Sequence, residues 1–173
     1  VDDGTGSVYP DNTTGNPDPN AVLDDDRPVQ VNNVTVNEGS PYAVFTVTAT
    51  AGQGLTLSLQ NDATPGTANA LLGTDTAAAG TLQYFNGTSW VTYAGGSVTV
   101  PASGQLLVRL GVTNDAVYEG AETFQLKVVN SGGTSVYGTA TIVDDGTGSV
   151  YPNNTTGNPD ANAVLDDDRP VQV

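Results

Sequence analysis

The chain carries nearly the same 31-residue segment at both ends, and this duplication constrains its organisation more than any other feature. Residues 1–31 and 143–173 are identical apart from two exchanges, Asp11 to Asn153 and Pro19 to Ala161. The two copies are offset by 142 residues, which is 143 minus 1. A solenoid unit usually has about 20–50 residues, so this period is too long for one. We therefore expect a domain-sized repeat from a tandem array, whose partners are neighbouring identical repeats of the same chain.

The duplicated segment differs in character from the centre of the chain. Residues 1–26 contain seven acidic residues and no basic one, and are rich in the turn formers Gly, Asn, Thr, Pro and Asp. We predict a linker from the preceding repeat at 1–26, a β-sandwich extender domain at 27–145, and a linker with the start of the next repeat at 146–173. Two hypotheses stay open for the linker: a disordered charged spacer, or a segment ordered by bound metal.

The central region has the pattern of an all-β protein. Phe124, Leu126 and Val128 alternate with polar neighbours, which indicates a strand with one buried face. Similar alternation at residues 45–49, 55–59 and 106–110 predicts three more strands. Further strands are predicted at residues 29–36, at the start of the domain, and at 135–143. Short strands with frequent turn signals favour an immunoglobulin-like, Calx-beta-like Greek-key β-sandwich.

A hairpin is predicted around Asn86-Gly87, between residues 82–85 and 89–93, because this dipeptide is a strong signal for a tight turn. Trp90, the only tryptophan, lies in its second strand. We expect Trp90 to pack in the core or under the hairpin rather than to stack on a sugar, since a sugar-binding platform usually contains several aromatic residues.

Composition excludes several classes of function. The chain has no His and no Cys, so zinc sites, thiol chemistry, Ser-His-Asp triads and disulfides are excluded. Its net charge of -15 repels nucleic acid and anionic lipid, and we expect neither nucleic-acid binding nor membrane insertion. Paired carboxylates also occur in glycosidases, but the chain has few aromatic residues to face a sugar. We expect a non-enzymatic protein that is monomeric as a fragment.

Acidic residues of the central region stand mostly at the ends of predicted strands. In a seven-stranded Greek key, the end of the first strand, the loop before the sixth and the end of the seventh lie at the same pole. The carboxylates expected to converge there are Glu38, Asp115, Glu119, Glu122, Asp144 and Asp145. Like charges at close range are costly without a cation. Ca²⁺, which takes six to eight oxygen ligands in flexible loops, would resolve the conflict.

The linker is a second candidate metal site. Its acids stand just before an Arg-Pro pair that leads into the first strand, and Pro keeps the preceding residue extended. Three consecutive acids in an extended chain cannot all point one way, so at most two could bind one ion. The candidate ligands here are Asp2, Asp3, Asp24, Asp25, Asp26, Asp166, Asp167 and Asp168.

Three motifs resemble the Calx-beta family and the related extender repeats of large bacterial RTX-type adhesins. They are Val-Asn-Glu-Gly at residues 36–39, the Tyr-Glu-Gly-Ala-Glu-Thr-Phe run within residues 114–124, and residues 139–146, which end in Val-Asp-Asp-Gly. The resemblance implies a β-sandwich whose loops bind Ca²⁺ through the carboxylates named above. The family often carries an Asp-Tyr pair in a middle loop. The nearest match is Asp75-Thr76, and Asp75 is not assigned as a ligand.

The sequence therefore predicts a calcium-stiffened stalk module that holds a distal binding domain away from the cell, at the extracellular surface. Near-identity between copies suits a spacer, and acidity discourages pairing between the edges of neighbouring repeats. The alternative is a β-sandwich that recognises glycan or protein directly. That function would need an exposed aromatic patch, for which Tyr84, Phe85, Trp90 and Tyr93 are the candidates.

Overall fold

A computed structural model describes residues 3–11, 13–21, 23–61 and 68–170 of the chain. Asp2, a candidate ligand, and Asp62, an acid of the central region, lie outside the described residues. Within that part, the strands in chain order are β1 (Gln30–Val31), β2 (Val34–Asn37), β3 (Tyr42–Thr48), β4 (Gly54–Asn61), β5 (Ala68–Asn69), β6 (Gln83–Phe85), β7 (Trp90–Thr92), β8 (Val98–Thr99), β9 (Gln105–Gly111), β10 (Glu122–Asn130) and β11 (Ser135–Val143).

These strands form two facing sheets. The first sheet has the order β1-β3-β9-β6-β7, and the second has the order β2-β11-β10-β4-β8, with β5 added beside β10. A 3₁₀ turn at Ala79–Thr81 is the helical element of the described part, where no helix is long and apolar enough to cross a membrane. The predicted all-β sandwich is confirmed.

The core lies between the sheets and follows the alternation seen in the sequence. Phe124, Leu126 and Val128 of β10 are fully buried, as is Phe45 of β3. The rings of Phe45 and Phe124 meet edge to face across the two sheets, with their centroids 5.9 Å apart. Such aromatic pairs stabilise a core by about 0.5–1.5 kcal/mol beyond the area they bury.

The prediction of a single first strand at residues 29–36 is wrong, because the chain changes sheet in its middle. Strand β1 pairs with β3 in the first sheet, whereas β2 runs parallel to β11 in the second. The side-chain oxygen of Asn32 accepts a hydrogen bond from the Thr46 amide at 2.7 Å, and that of Asn33 accepts one from the Thr139 amide at 2.9 Å. The side-chain oxygens of Asn32 and Asn33 thus take the place of backbone acceptors where the chain crosses between the sheets.

The crossing also requires a glycine on the neighbouring strand. A Cβ atom at Gly138 would lie 2.4 Å from the carbonyl oxygen of Asn32 and 2.4 Å from a methyl carbon of Val31. No side chain fits that gap, so the close approach of the crossing segment to β11 depends on Gly138.

The predicted hairpin is confirmed: β6 pairs with β7, with Phe85 opposite Trp90. The turn is closed by the side-chain oxygen of Asn86, which accepts hydrogen bonds from the amides of Thr88 and Ser89, both at 2.9 Å. Gly87 supplies the positive φ of 97° that the turn needs.

Where both are described, the two copies of the duplicated segment adopt the same local structure. Each folds back on itself, so that Asp3 lies antiparallel to Asp25 in one copy and Asp145 to Asp167 in the other. Equivalent backbone hydrogen bonds close both loops, from Asp18 to Val8 and from Asp160 to Val150, each at 2.8 Å. We call residues 3–27 the first loop and 145–169 the second loop. These bonds describe an ordered loop; that metal orders it, and the boundaries at 27 and 145, stay predictions.

Candidate metal centre

The strand pairing brings three chain segments to one pole of the sandwich. Strand β2 ends with Asn37 beside Val143, the last residue of β11. Strand β10 runs the other way and begins with Glu122 beside Ile142. The residue after β2, the residue after β11 and the loop that precedes β10 therefore meet, as the sequence predicts.

Two carboxylates at this pole are almost fully buried, and each has one oxygen without a hydrogen-bond donor. Glu38 is 6% exposed; its Oε1 accepts a hydrogen bond from the Asp115 amide at 3.3 Å, while Oε2 has no partner. Asp144 is 3% exposed; its Oδ2 accepts one from the Glu119 amide at 2.9 Å, while Oδ1 has no partner. Burying a carboxylate oxygen without a donor or a cation lowers the stability of the fold, so a cation bound to either oxygen would be favourable.

The carboxylates at the pole form overlapping groups, each close enough to hold a metal ion. Within each group, one oxygen per residue lies within 4.8 Å of the others. Glu38 belongs to two of the groups and Glu119 to two. Among the described residues, the groups are Glu38 with Asp115 and Glu119, Glu38 with Asp166 and Asp168, and Asp75 with Glu119 and Glu122.

Burial and mutual repulsion raise the pKa of several of these acids. Loss of solvation is the main reason that the pKa of Glu38 rises to about 7, and the charges of Asp115, Asp144 and Asp166 add to it. Loss of solvation also raises the pKa of Glu122 to about 7, with the charge of Asp75 next in weight. Glu38 and Glu122 are therefore only partly ionised at neutral pH, and a nearby cation would favour their charged form.

The aspartate triplet of the second loop divides between two roles. Asp166 and Asp168 face Glu38, and the Oδ2 of each is buried without a partner. Asp167 points the other way and forms an ion pair with Arg169, its Oδ2 lying 2.6 Å from Nη2. This division agrees with the argument that no more than two of three consecutive acids can reach one ion.

The fully buried amide of Asn37 holds the second loop against this pole. Its nitrogen donates to the carbonyl oxygens of Thr147 and Asp166, at 2.9 and 3.0 Å. Its oxygen accepts hydrogen bonds from the amides of Gly39 and Asp166, at 3.1 and 2.9 Å. Sequence reasoning gave Asn37 no role of its own, although it stands in one of the motifs that carry the family resemblance.

The structure does not bring every predicted ligand to the centre. Asp145 instead accepts hydrogen bonds from the amide and hydroxyl of Thr147, and Asp3 from those of Thr5. Asp25 forms an ion pair with Arg27, at 2.6 Å. Asp24 and Asp26 lie beside Gly132, at the opposite end of the sandwich. Within the described ranges, none of these five belongs to a group that could hold a metal.

Conversely, Asp75, which the sequence analysis left unassigned, lies at the centre with Glu119 and Glu122. Its loop is fixed by two hydrogen bonds, from the Leu71 amide to its Oδ2 at 2.6 Å and from the Thr113 amide to its carbonyl at 2.9 Å. The second bond anchors the loop beside the end of β9, close to Glu119 and Glu122. The position of the middle loop in the family pattern was the signal that pointed to Asp75.

The donor set fits a hard divalent cation. It consists entirely of carboxylate oxygens on loops, four of which are buried and unpartnered, and no ion pair with Lys or Arg reaches it in the described part of the chain. Ca²⁺ accepts six to eight such oxygens at 2.3–2.6 Å in flexible geometry, whereas Mg²⁺ demands a smaller octahedral site. Glu38, Asp166 and Asp168 are the residues that would hold it, and Asp144, which has a buried unpartnered oxygen at the same pole, lies outside these groups.

Comparison with known proteins gives remote structural likenesses. No protein-family model and no curated protein matches the chain. The chain is similar to the crystal structure of the apo-form Calx CBD1 domain, with a TM-score of 0.44 and 17% identity over 68% of this chain and 97% of that one. It is also similar to the Pseudomonas aeruginosa CupB2 chaperone, with a TM-score of 0.39 and 10% identity over 66% of this chain and 54% of that one.

The raised pKa values predict how the metal-free protein responds to pH. In the folded state the pKa of Glu38 and Glu122 is about 7, against an ordinary value of 4.5. The folded state therefore binds more protons than the unfolded state between these values, and its stability falls as pH rises from about 4.5 to 7. Urea unfolding in chelator at pH 5.0 and 7.5 measures this. The variant Glu38→Gln should lose less stability over this pH range than the unaltered chain. A free energy of unfolding that stays constant or rises over the range would contradict the prediction.

Proposed function

We propose that the chain is a calcium-binding structural extender module of a tandem-repeat cell-surface adhesin, which holds a distal binding domain away from the cell. One observation carries the proposal: in the described part of the chain, four buried carboxylate oxygens without hydrogen-bond partners lie at one pole of the sandwich, and three of their carboxylates, Glu38, Asp166 and Asp168, are close enough together to hold an ion. Glu38 and Asp144 come from the sandwich, and Asp166 and Asp168 from the loop that follows it. A cation held by both sets would tie the sandwich to its linker.

Each part of the chain has a definable task in this proposal. The two sheets provide a rigid unit of fixed length. Asn37 orients the second loop, so that Asp166 and Asp168 face Glu38. Bound Ca²⁺ supplies the positive charge that these carboxylates lack. The module is then structural rather than enzymatic, acts outside the cell where calcium is plentiful, and has neighbouring repeats as its partners.

Direct recognition of a glycan or protein ligand is less well supported by the aromatic residues. Tyr84, Phe85, Trp90 and Tyr93 are all half-buried rather than grouped on an open surface. The indole N–H of Trp90 donates to the carbonyl of Asn154 at 2.7 Å, so the second loop lies against this ring. The hydroxyl of Tyr93 bonds to the carbonyl of Gly96 at 2.6 Å. These contacts agree with the packing role predicted for Trp90.

Calorimetric titration of the metal-free chain with Ca²⁺, and separately with Mg²⁺, tests the proposal. We expect saturable binding of Ca²⁺ and at least tenfold weaker binding of Mg²⁺, because loop carboxylates suit the larger ion. Glu38→Gln should weaken binding most, since Glu38 belongs to two of the groups and, unlike Glu119, is buried. Asp18→Asn is the matched control, because Asp18 is an exposed acid whose side chain accepts a hydrogen bond from the nearby Asn20 amide and which is in none of the groups of described residues. No binding of Ca²⁺ by the unaltered chain would refute the proposal.

A further inference from the structure

The second loop covers the outer face of the first sheet. Tyr151 forms a bridge with Tyr42, and its amide donates to the Ser40 hydroxyl at 2.8 Å. Val150 is 8% exposed and Val44, on the outer side of β3, is 4% exposed. At Gly157, whose φ is 67°, a Cβ atom would lie 2.9 Å from Leu107, so this glycine lets the backbone press directly on the sheet.

The first loop has the same local structure but no sheet beneath its front half. Val8 and Tyr9, the counterparts of Val150 and Tyr151, are 41% and 65% exposed. Both side chains are thus open to solvent in the first copy, whereas in the second copy the valine is buried and the tyrosine half-buried. The sequences differ at two positions only and the local structure is the same, so the missing feature is the surface on which these side chains pack.

The rear half of the loop shows the opposite pattern. In the first loop, Asp25 is 2% exposed, and the amide side chain of Gln53 donates to the carbonyl of Arg27 at 2.8 Å. The counterpart of Asp25 in the second loop is Asp167, which has 41% of its side chain exposed. Each copy is therefore one half of a joint. The first loop shows how the joint meets the sandwich that follows, and the second shows how it meets the sandwich that precedes.

Arg109 is the polar anchor of the covered face. It is 4% exposed, and its guanidinium lies 3.8 Å from the ring centre of Tyr42 and 4.1 Å from that of Trp90. Its Nε donates to Gln83 and its Nη1 to the side-chain oxygen of Asn153, both at 2.8 Å. Neither ion pair of the described residues includes Arg109. A buried guanidinium held by neutral acceptors would be better matched by a carboxylate.

The residue that meets Arg109 is one of the two that differ between the copies. Asn153 stands in the second loop, and Asp11 stands at the same position of the first loop. When a first loop covers the sheet of another repeat, an aspartate replaces the amide that faces the arginine.

We propose that residues 3–11 and 13–21 dock on the outer face of the first sheet in a second copy of this chain, where Val8 becomes buried, Tyr9 becomes half-buried and Asp11 forms an ion pair with that copy's Arg109. The inference rests on the proposed tandem arrangement and adds to it the contact between successive repeats. The joint is then a folded loop clamped between two sandwiches rather than a tether.

The ion pair is tested in the 173-residue chain itself, at saturating Ca²⁺. Asn153→Asp gives the second loop the residue of the first, and should raise the melting temperature by about 2–4 °C, because a charge-assisted hydrogen bond replaces a neutral one. The gain should vanish in an Arg109→Gln background. A melting temperature that is unchanged or lowered by Asn153→Asp would overturn the ion pair.

The docking itself is tested in a two-repeat chain, made by joining residues 1–142 to residues 1–173. The sequence has no cysteine, so a single one can be introduced as a probe. In the 173-residue chain, Val8→Cys and Val150→Cys give the maleimide reaction rates of the exposed and covered states. Val8→Cys in the second repeat of the two-repeat chain should react at least tenfold more slowly than the exposed standard.

A rate equal to that of the exposed standard would overturn the docking. This outcome is distinguishable from failure of the proposed function, which is read from calcium binding by the 173-residue chain. Protection of the cysteine in a protein that binds no Ca²⁺ would support the docking and refute the calcium part of the function. Calcium binding with an unprotected cysteine would support the calcium part of the function and overturn the docking.

Discussion

Saturating Ca²⁺ should raise the melting temperature of the 173-residue chain by about 5–10 °C for each site that fills independently. A ligand that binds only the folded state at a hundredfold excess over its Kd stabilises it by about 2.7 kcal/mol. For a chain of this length, 1 kcal/mol corresponds to about 2–4 °C. The effect should be large here because the ion relieves a cost as well as adding bonds. The buried oxygens of Glu38, Asp144, Asp166 and Asp168 have no partner without it.

The variant Glu38→Gln separates the relief of the buried charge from the bonds that the ion adds. The amide keeps the size of the side chain and removes the charge, so it should raise the melting temperature in chelator, where Glu38 is buried beside Asp115, Asp144 and Asp166. The same variant should lose at least half of the response to Ca²⁺. Scanning calorimetry with excess Ca²⁺ and with chelator, at physiological salt, measures both effects.

Asp145→Asn is the matched control for this experiment. Asp145 is next to Asp144 in the chain, but it bonds to Thr147 and belongs to no group that could hold a metal in the described ranges. Its variant should keep the full response to Ca²⁺. If chelation leaves the melting temperature of the unaltered chain where it was, the four unpartnered oxygens do not form a calcium site.

The fold could be predicted where side-chain alternation alone decides the structure. Phe124, Leu126 and Val128 lie on a strand whose two faces differ in polarity, and this determines both the strand and its buried face. The first strand could not be predicted in the same way. Its residues suit either sheet, and the exchange at Asn32 and Asn33 depends on backbone N–H donors that only the folded neighbours, Thr46 and Thr139, supply. Hydrogen bonds between distant segments leave no periodic trace in the sequence.

The candidate site was predictable to the extent that it depends on strand ends. Glu38 and Asp144 follow β2 and β11 directly, so the topology alone places them together. Asp75 lies in a long connection between strands, where the fold class gives no position. The fold-back of the linker and its docking on the outer face of the first sheet were also beyond prediction, because backbone bonds such as that from the Asp18 amide to the Val8 carbonyl leave no trace in composition. Arg109 and Trp90 have their role only once that face is known.

Calcium should also convert the joint between two repeats from a mobile to a fixed connection. The two-repeat chain can carry a spin label at Thr88→Cys in each repeat, an exposed position in the β6–β7 turn. With Ca²⁺, pulsed EPR should give one narrow distance peak, because Asp24 and Asp26 of the second repeat then stand where Asp166 and Asp168 meet Glu38. In chelator, we expect these acids to repel Glu38 and the loop to leave the sheet. A free Gly-rich linker spans about 5–6 Å times the square root of its length, so the distribution should become broad.

The double variant Asp24→Asn/Asp26→Asn in the second repeat should give the broad distribution even with Ca²⁺, since it removes the charges that face the preceding Glu38. Asp3→Asn/Asp18→Asn in the same loop is the matched control. It also removes two negative charges, but these side chains bond to Thr5 and Asn20 within the loop, and the amide oxygen of Asn can accept the same hydrogen bonds. The control should therefore stay narrow with Ca²⁺. A distance distribution that is equally narrow with and without Ca²⁺ would contradict this prediction. It would mean that docking of the loop on the face that holds Arg109 and Trp90 is enough to fix the joint. The cation would then stabilise each sandwich without setting the direction of the stalk.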